Sequence, residues 1–329
     1  MILILVRIIL MLSLAARPAR LCAAVSAAVL LSGCGALSEA SETKEREVVA
    51  SFYPLAWVTE RVAGNDWTVT NLTTPGGEPH ELGLSISATA DLTEAALVVY
   101  LDGFQPAVDD AVDTNGTGAI LDAADAVELR PVADHSDEGP AEDGTEEDHA
   151  EEDGRDHGDL DPHFWLDPLL MADLTDAVAD QLADLDPDNA SAYRANADEL
   201  VAEFEQLDTE YVDGLADCER DLVVVSHDAF GYLARYGLHF EPIAGLSPDA
   251  EPTPAALADL ADLIQDEGVT TVFSERLASP AMAETLADDL DVSTGVLDPL
   301  EGLTDETAQD DYLSLMRQNL TALQEANNC

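Results

Sequence analysis

Positively charged residues are scarce in this chain. Its 329 residues include 13 lysines and arginines against 68 aspartates and glutamates, a formal net charge of −55, and Lys44 is the one lysine. A chain this acidic does not bind nucleic acid or anionic lipid headgroups by charge, and it favours cations as ligands. Because acidic residues are spread along the predicted helices, most of this charge is interpreted as a solvated surface.

Common catalytic signatures are also missing. The sequence contains no HExxH helix, and no Ser–His–Asp set is evident, which disfavours the familiar hydrolase classes. Hydrophobic residues make up 47% of the chain, so global disorder is excluded. The length suits two domains of ordinary size.

Residues 1–33 are predicted to be a secretory signal peptide. Arg17 and Arg20 precede a short apolar run that ends in Leu-Ser-Gly-Cys at Cys34. This ending resembles a bacterial lipobox, which implies cleavage before Cys34, a lipid on its sulfur and attachment to the outer face of the cell membrane. A transmembrane anchor is the alternative, although the run is short for a bilayer. Residues 34–47 are interpreted as a polar tether.

The sequence has four cysteines. Cys22 lies in the signal and Cys34 is the lipidation site, which leaves Cys218 and Cys329 in an oxidising compartment where disulfides persist. We predict that these two pair and fix the C-terminus to the start of the second lobe. Two free buried thiols are the alternative.

Short apolar strands alternate with helices along the rest of the chain. Predicted strands begin at Val48, Trp67, Ala96, Leu222, His239, Thr270 and Ser293, with a short strand pair at 120–121 and 127–129 and a last helix over 305–325. Such alternation indicates parallel, doubly wound sheets, and it occurs once on each side of a long helical segment. We predict an α/β fold of two doubly wound lobes joined by one long rigid helix. The N-terminal lobe is 48–166, the linking helices are 167–217 and the C-terminal lobe is 218–329.

Four candidate metal ligands lie at the carboxyl ends of predicted strands or in loops leading from them: His80, His163, His227 and Asp298. In open α/β sheets ligands bind at this edge, and two candidates come from each lobe, so the site is expected in the cleft between the lobes. Three imidazoles and a carboxylate suit tetrahedral zinc. A single histidine at a strand end is more often an ordinary polar residue, whereas three at such ends strengthen the prediction.

The setting of His163 differs from that of three other histidines. His163 lies between Pro162 and Phe164-Trp165, which is a rigid and partly desolvated environment. The acidic segment 134–161 before it contains His135, His149 and His157. This contrast suggests one fixed metal ligand beside a flexible metal-collecting loop. A plain disordered acidic insertion is the alternative.

Three carboxylates are candidates for a supporting role around the ligands. Glu78 lies two residues before His80, as a support or an alternative ligand. Asp228 is positioned to orient an imidazole or to cap a helix. Glu275 is placed to support the site or to form a surface ion pair with Arg276.

Several motifs follow one another in a familiar order. They are Ser51-Phe52-Tyr53-Pro54, Glu78-Pro79-His80-Glu81, Asp161-Pro162-His163-Phe164-Trp165-Leu166-Asp167-Pro168, Ser226-His227-Asp228-Ala229-Phe230-Gly231-Tyr232 and Leu297-Asp298-Pro299-Leu300. Together they resemble the solute-binding lipoproteins of ABC importers for zinc and manganese over roughly residues 48–325. The resemblance implies two lobes joined by a long helix and ligand roles for His80, His163, His227 and Asp298. Manganese-type members have a glutamate in place of the third histidine, so His227 favours zinc.

The resemblance implies a monomeric extracytoplasmic receptor that captures Zn²⁺, delivers it to an ABC permease with its ATPase, and performs no catalysis. A manganese or iron(II) receptor of the same family is one alternative. A zinc-dependent hydrolase is another, and it gains weight if Asp298 does not coordinate, because an open position then returns. A surface adhesin or metal buffer without a transporter is the third.

Overall fold

The computed structural model describes residues 44–132 and 160–329. The predicted signal peptide and Cys34 lie outside the described residues, as do the three predicted accessory histidines, His135, His149 and His157. Within the described ranges, no helix combines the length and apolarity that crossing a membrane requires.

Four parallel strands form the first sheet, in the order β2-β1-β3-β4. They are β1 Lys44–Ala50, β2 Thr68–Asn71, β3 Ala95–Tyr100 and β4 Ala119–Asp122. The helices of this lobe are α1 Tyr53–Ala63, α2 Ile86–Glu94, α3 Pro106–Asn115 and α4 Ala123–Ala126. Val48 and Ala50 pack in the cluster that contains α1, whereas Val49 packs in the cluster of α2 and α3. Both faces of the sheet are thus covered, which explains its continuous apolar strands.

The second sheet repeats this arrangement, in the order β6-β5-β7-β8. Its strands are β5 Leu222–Val225, β6 His239–Pro242, β7 Thr271–Ser274 and β8 Ser293–Val296. Its helices are α7 Pro254–Glu267, α8 Ala281–Leu290 and α9 Tyr312–Asn327, and a 3-10 helix, Phe230–Tyr236, follows β5. Another 3-10 helix, Phe164–Leu166, comes earlier in the chain, before the helices that connect the two sheets. The predicted fold class, two parallel-sheet α/β lobes, is confirmed.

Two helices connect the sheets, α5 Pro168–Leu185 and α6 Ala190–Leu215. The first half of α6 contacts the first lobe, where Asn196 donates to the Val62 carbonyl and Glu203 pairs with Arg61. Its second half contacts α9, where the Tyr211 hydroxyl donates to the Met316 carbonyl. A single helix of 26 residues therefore packs against both lobes.

Local details differ from the predicted elements in three places. The predicted strand over 127–129 is wrong, because α4 follows β4 directly and β4 pairs with β3 instead. The last helix begins at Tyr312 rather than at residue 305, since the Asp311 side chain accepts the Ser314 N–H as its cap. β1 begins at Lys44, so the predicted tether 34–47 ends earlier than residue 47.

The predicted disulfide between Cys218 and Cys329 is present. Hydrogen bonds support the same junction, because Arg220 donates to the Ala326 carbonyl and Thr270 donates to it as well. The end of α9 is thereby held beside the amino end of β5.

Candidate metal centre

Three imidazole rings and one carboxylate converge between the two sheets. They belong to His80, His163, His227 and Glu301, and one ligand atom of each lies within 4.8 Å of the others. The Nε2 atoms of the three histidines lie 3.2, 3.5 and 3.4 Å from Oε1 of Glu301. His163, His227 and Glu301 are buried, while His80 keeps 13% of its side chain exposed. The arrangement offers a cation three nitrogen donors and one oxygen donor.

The sheets place these side chains at their carboxyl edges. His80 lies in the loop between β2 and α2, and His227 comes two residues after the end of β5. Glu301 comes five residues after the end of β8. His163 immediately precedes a 3-10 helix and follows an antiparallel bridge between Pro131 and Leu160. Ligands in open α/β sheets bind at this edge, and here the edges of two sheets meet.

Two carboxylates orient two of the rings. Nδ1 of His163 lies 2.8 Å from Oδ1 of Asp161, and Nδ1 of His227 lies 2.8 Å from Oε1 of Glu275. A carboxylate accepts hydrogen bonds, so each Nδ1 carries the hydrogen and each Nε2 keeps its lone pair in the neutral ring. Both Nε2 atoms and the second oxygen of Glu301 are buried without a hydrogen-bond partner in the described part of the chain. Buried polar atoms rarely stay unsatisfied, and a bound cation would satisfy them.

The electrostatics of the group match a site that exchanges protons for a cation. Burial lowers the pKa of His227, but hydrogen bonds with Glu275 and Glu301 raise it to about 10. Burial likewise lowers the pKa of His163, while its bonds to Asp161 and Glu301 produce a net rise. Burial raises the pKa of Glu301, yet bonds from the histidines hold it well below its usual range. Without a cation, a proton on His227 offsets the Glu301 charge.

The family model of ZnuA, the periplasmic component A of the zinc-uptake complex, matches residues 48–326. The chain belongs to the ZnuA family. The resemblance drawn from the sequence motifs is therefore confirmed, over nearly the same residues.

Individual members of the ZnuA family and its relatives align over most of this chain. The zinc-binding lipoprotein AdcA of Streptococcus pneumoniae is 34% identical over 288 residues, which cover 85% of this chain and 56% of AdcA. This chain thus spans about half the length of the AdcA proteins it matches. The high-affinity zinc uptake system protein ZnuA of Bacillus subtilis is 33% identical over 309 residues, covering 91% of this chain and 94% of that protein.

A solved structure has the same fold. The Zn(II)-bound ZnuA-like domain of Streptococcus pneumoniae AdcA superposes with a TM-score of 0.70 at 31% identity. The match covers 86% of this chain and 99% of that domain. The shared fold thus includes both lobes and the cleft between them.

The fourth predicted ligand, Asp298, is not part of the converging group. Its Oδ2 lies 3.0 Å from Nε of Arg276, and its Oδ1 accepts the Leu300 N–H at 2.9 Å. Asp298 supplies no atom to the group formed by the three histidines and Glu301. Glu301, three residues later, takes the fourth position instead, so the prediction of Asp298 is corrected.

Two of the three predicted supporting carboxylates, Glu275 and Glu78, contact ligand residues. Glu275 is 5% exposed and binds Nδ1 of His227, while Arg276 pairs with Asp298, so the surface ion pair predicted between Glu275 and Arg276 is wrong. Glu78 accepts the backbone N–H groups of His80 and Glu81. It thereby shapes the loop that carries His80.

Asp228 and Asp161 are buried aspartates next to or near two of the histidine ligands. Asp228 is buried beside His227, and its backbone N–H donates to Gly245, but it does not join the ligand group. Asp161 supports His163, a role that the sequence motifs alone do not predict. Its spacing carried a signal, because an aspartate two residues before a histidine accepts both the backbone N–H and the ring N–H here. His239 lies apart, exposed on β6 beside Glu241.

Proposed function

We propose that this protein is a zinc-binding receptor that captures Zn²⁺ in the cleft and delivers it to an ABC importer. The observation that carries the proposal is the convergence of three imidazole Nε2 atoms and the Glu301 carboxylate on one point. The names of the relatives support it, since AdcA is named a zinc-binding lipoprotein and the Bacillus subtilis protein a zinc uptake protein.

The donor set favours zinc over manganese. Zinc accepts four-coordinate sites built from histidine nitrogens and a carboxylate. Manganese prefers oxygen-rich, higher-coordinate sites. With His227 as a third nitrogen donor, the group is richer in nitrogen than a manganese site needs.

The same donor set supports binding rather than catalysis. A catalytic zinc usually keeps three protein ligands and an open position for water. The carboxylate of Glu301 supplies a fourth protein ligand, which fills the position that Asp298 leaves open. The proposed receptor therefore holds its ion without activating a water.

The cellular setting is proposed from the sequence together with the family. The predicted signal peptide and the lipobox-like ending at Cys34 support a location outside the cytoplasm, with a lipid anchor on the outer face of the membrane. Its partners are the permease and the ATPase of the importer. It acts as a monomer, and the accessory histidines His135, His149 and His157 collect zinc.

Titration calorimetry tests the proposal. Wild-type protein from Ser41 onward should bind one zinc tightly and manganese much more weakly. His227→Ala should weaken zinc binding strongly, because it removes one of four donors. His239→Ala is the matched control, since this exposed histidine lies on β6 outside the ligand group. Equal or tighter manganese binding would move the assignment to a manganese receptor, and indifference to His227→Ala would refute the ligand set.

A further inference from the structure

We propose that Asp298, held by Arg276, is a positioning residue that turns Glu301 into the metal centre. The inference rests on the zinc-receptor function proposed above. Asp298 is 4% exposed but is not one of the ligands, so its burial in an acidic chain calls for another role. A buried carboxylate is costly unless its charge is paired and hydrogen-bonded.

The two oxygens of Asp298 contact different groups. Oδ2 lies 3.0 Å from Nε of Arg276, an ion pair without a hydrogen bond, and the guanidinium balances its charge. Oδ1 accepts the backbone N–H of Leu300 at 2.9 Å. The side chain therefore closes a local turn over the two residues that follow it.

Leu300 needs this support because of its backbone conformation. It has a φ of 59°, in the left-handed region that residues with a Cβ seldom adopt. It is also fully buried, so its side chain is packed in this conformation. The turn changes the direction of the chain just before Glu301, and it aims that carboxylate at the three histidines.

The backbone before the turn is anchored independently. The Asn319 side chain of α9 accepts the Asp298 N–H at 2.9 Å and donates to the Asp298 carbonyl at 2.6 Å. The Trp165 indole donates to the Pro299 carbonyl at 2.7 Å. These bonds do not use the Asp298 side chain. A substitution of that side chain should therefore disturb the Leu300 turn while the anchored backbone stays in place.

Arg276 connects this turn to a second ligand. It follows Glu275, whose carboxylate holds Nδ1 of His227. The end of β7 thus positions two ligands from the second lobe, His227 through Glu275 and Glu301 through Arg276 and Asp298. Glu275 and Arg276, which are adjacent in the sequence, therefore act on both ligands of the second lobe.

Two substitutions at Asp298 separate its hydrogen bond from its charge. Asp298→Ala removes both, and it should weaken zinc binding by about 10- to 100-fold, the usual effect of losing a residue that orients a metal ligand. Asp298→Asn keeps an acceptor for the Leu300 N–H and should lose less. Glu306→Gln is the matched control, because Glu306 is the exposed second partner of Arg276 and exposed pairs contribute little.

A double-mutant cycle with Glu301→Gln decides whether Asp298 acts through Glu301. In the Glu301→Gln background, Asp298→Ala should add little further loss, because the group it positions is already disabled. The Co²⁺ absorption spectrum of Asp298→Ala should also shift toward that of Glu301→Gln. An equal loss in both backgrounds, or a wild-type Co²⁺ spectrum for Asp298→Ala, would overturn the positioning role.

The outcomes also separate this inference from the proposed function. Absence of zinc binding by the wild-type protein would refute the receptor. Zinc binding that Glu301→Gln weakens and Asp298→Ala leaves unchanged would refute only the positioning role. The unfolding midpoint of each metal-free variant shows that it is folded, and Asp298→Leu, which also lacks an acceptor for the Leu300 N–H, takes the place of Asp298→Ala in the cycle if the latter unfolds.

Discussion

Removing the disulfide should destabilise the protein without touching the metal centre. The perturbation is Cys218→Ser with Cys329→Ser, changed together so that neither partner of the bond is left as a free thiol. Arg220 and Thr270 still bind the Ala326 carbonyl, so the end of α9 keeps its place in the folded protein. The bond therefore acts mainly on the unfolded chain, whose freedom it restricts.

The expected loss follows from the size of the closed loop. The two cysteines are 111 residues apart in the sequence. Loop-closure entropy for that length corresponds to about 4.8 kcal/mol at 25 °C, and measured values for single disulfides are typically about 2–4 kcal/mol. A loss of about 3–5 kcal/mol in the free energy of unfolding is expected.

Urea unfolding of the metal-free protein measures this loss, with reductant on the wild-type protein as an independent way to break the bond. Zinc titration is the second readout. Cys218 precedes β5 and His227 follows it, so the bond and the site lie at opposite ends of that strand. A loss below about 1 kcal/mol would refute the unfolded-chain argument, and a lost zinc site would show that the bond shapes the cleft.

Two further predictions concern pH. Zinc affinity should rise between pH 6 and pH 8, because the pKa of His227 is raised to about 10 and its proton must leave before Nε2 binds the ion. Calorimetry in buffers of different ionisation enthalpy should count at least one proton released per zinc, and a flat affinity would contradict it. Burial and the nearby Asp102 raise the pKa of Asp109 from 3.8 to about 7, so the folded protein loses stability as pH rises through that range. Asp109→Asn should therefore stabilise the protein at pH 8 by about 1 kcal/mol, after allowance for its partial exposure, and by less at pH 5. The same change at the exposed Asp110 is the control, and an equal gain there would count against the burial argument.

The three histidines could be predicted because their signal is local. Each follows a strand or begins a recognisable motif, and parallel strands bring their carboxyl ends to one edge. The alternation of strands and helices likewise follows from apolar runs of a few residues. These features need no knowledge of distant contacts.

Glu301 and Asp298 could not be ranked in the same way. Both carboxylates lie just past β8, and the sequence places Asp298 nearer to the strand. The choice between them depends on Arg276 of the neighbouring strand end and on Asn319 of α9, which meet Asp298 only in the folded protein. Leu300 adopts a left-handed backbone conformation, and a leucine in the sequence does not predict such a conformation. Long-range contacts therefore decided the fourth position.

Trp165 gives this cleft an intrinsic optical reporter. Its ring centroid lies 5.1 Å from that of His163, and its indole N–H is bound to the Pro299 carbonyl, two residues before Glu301. The other two tryptophans lie in different surroundings, Trp57 stacked on Tyr312 and Trp67 bonded to Tyr193. Because indole emission responds to neighbouring charge, a metal ion bound at His163 should change the fluorescence of Trp165. Occupancy of the cleft can then be followed in unlabelled protein, at the speed of a stopped-flow experiment.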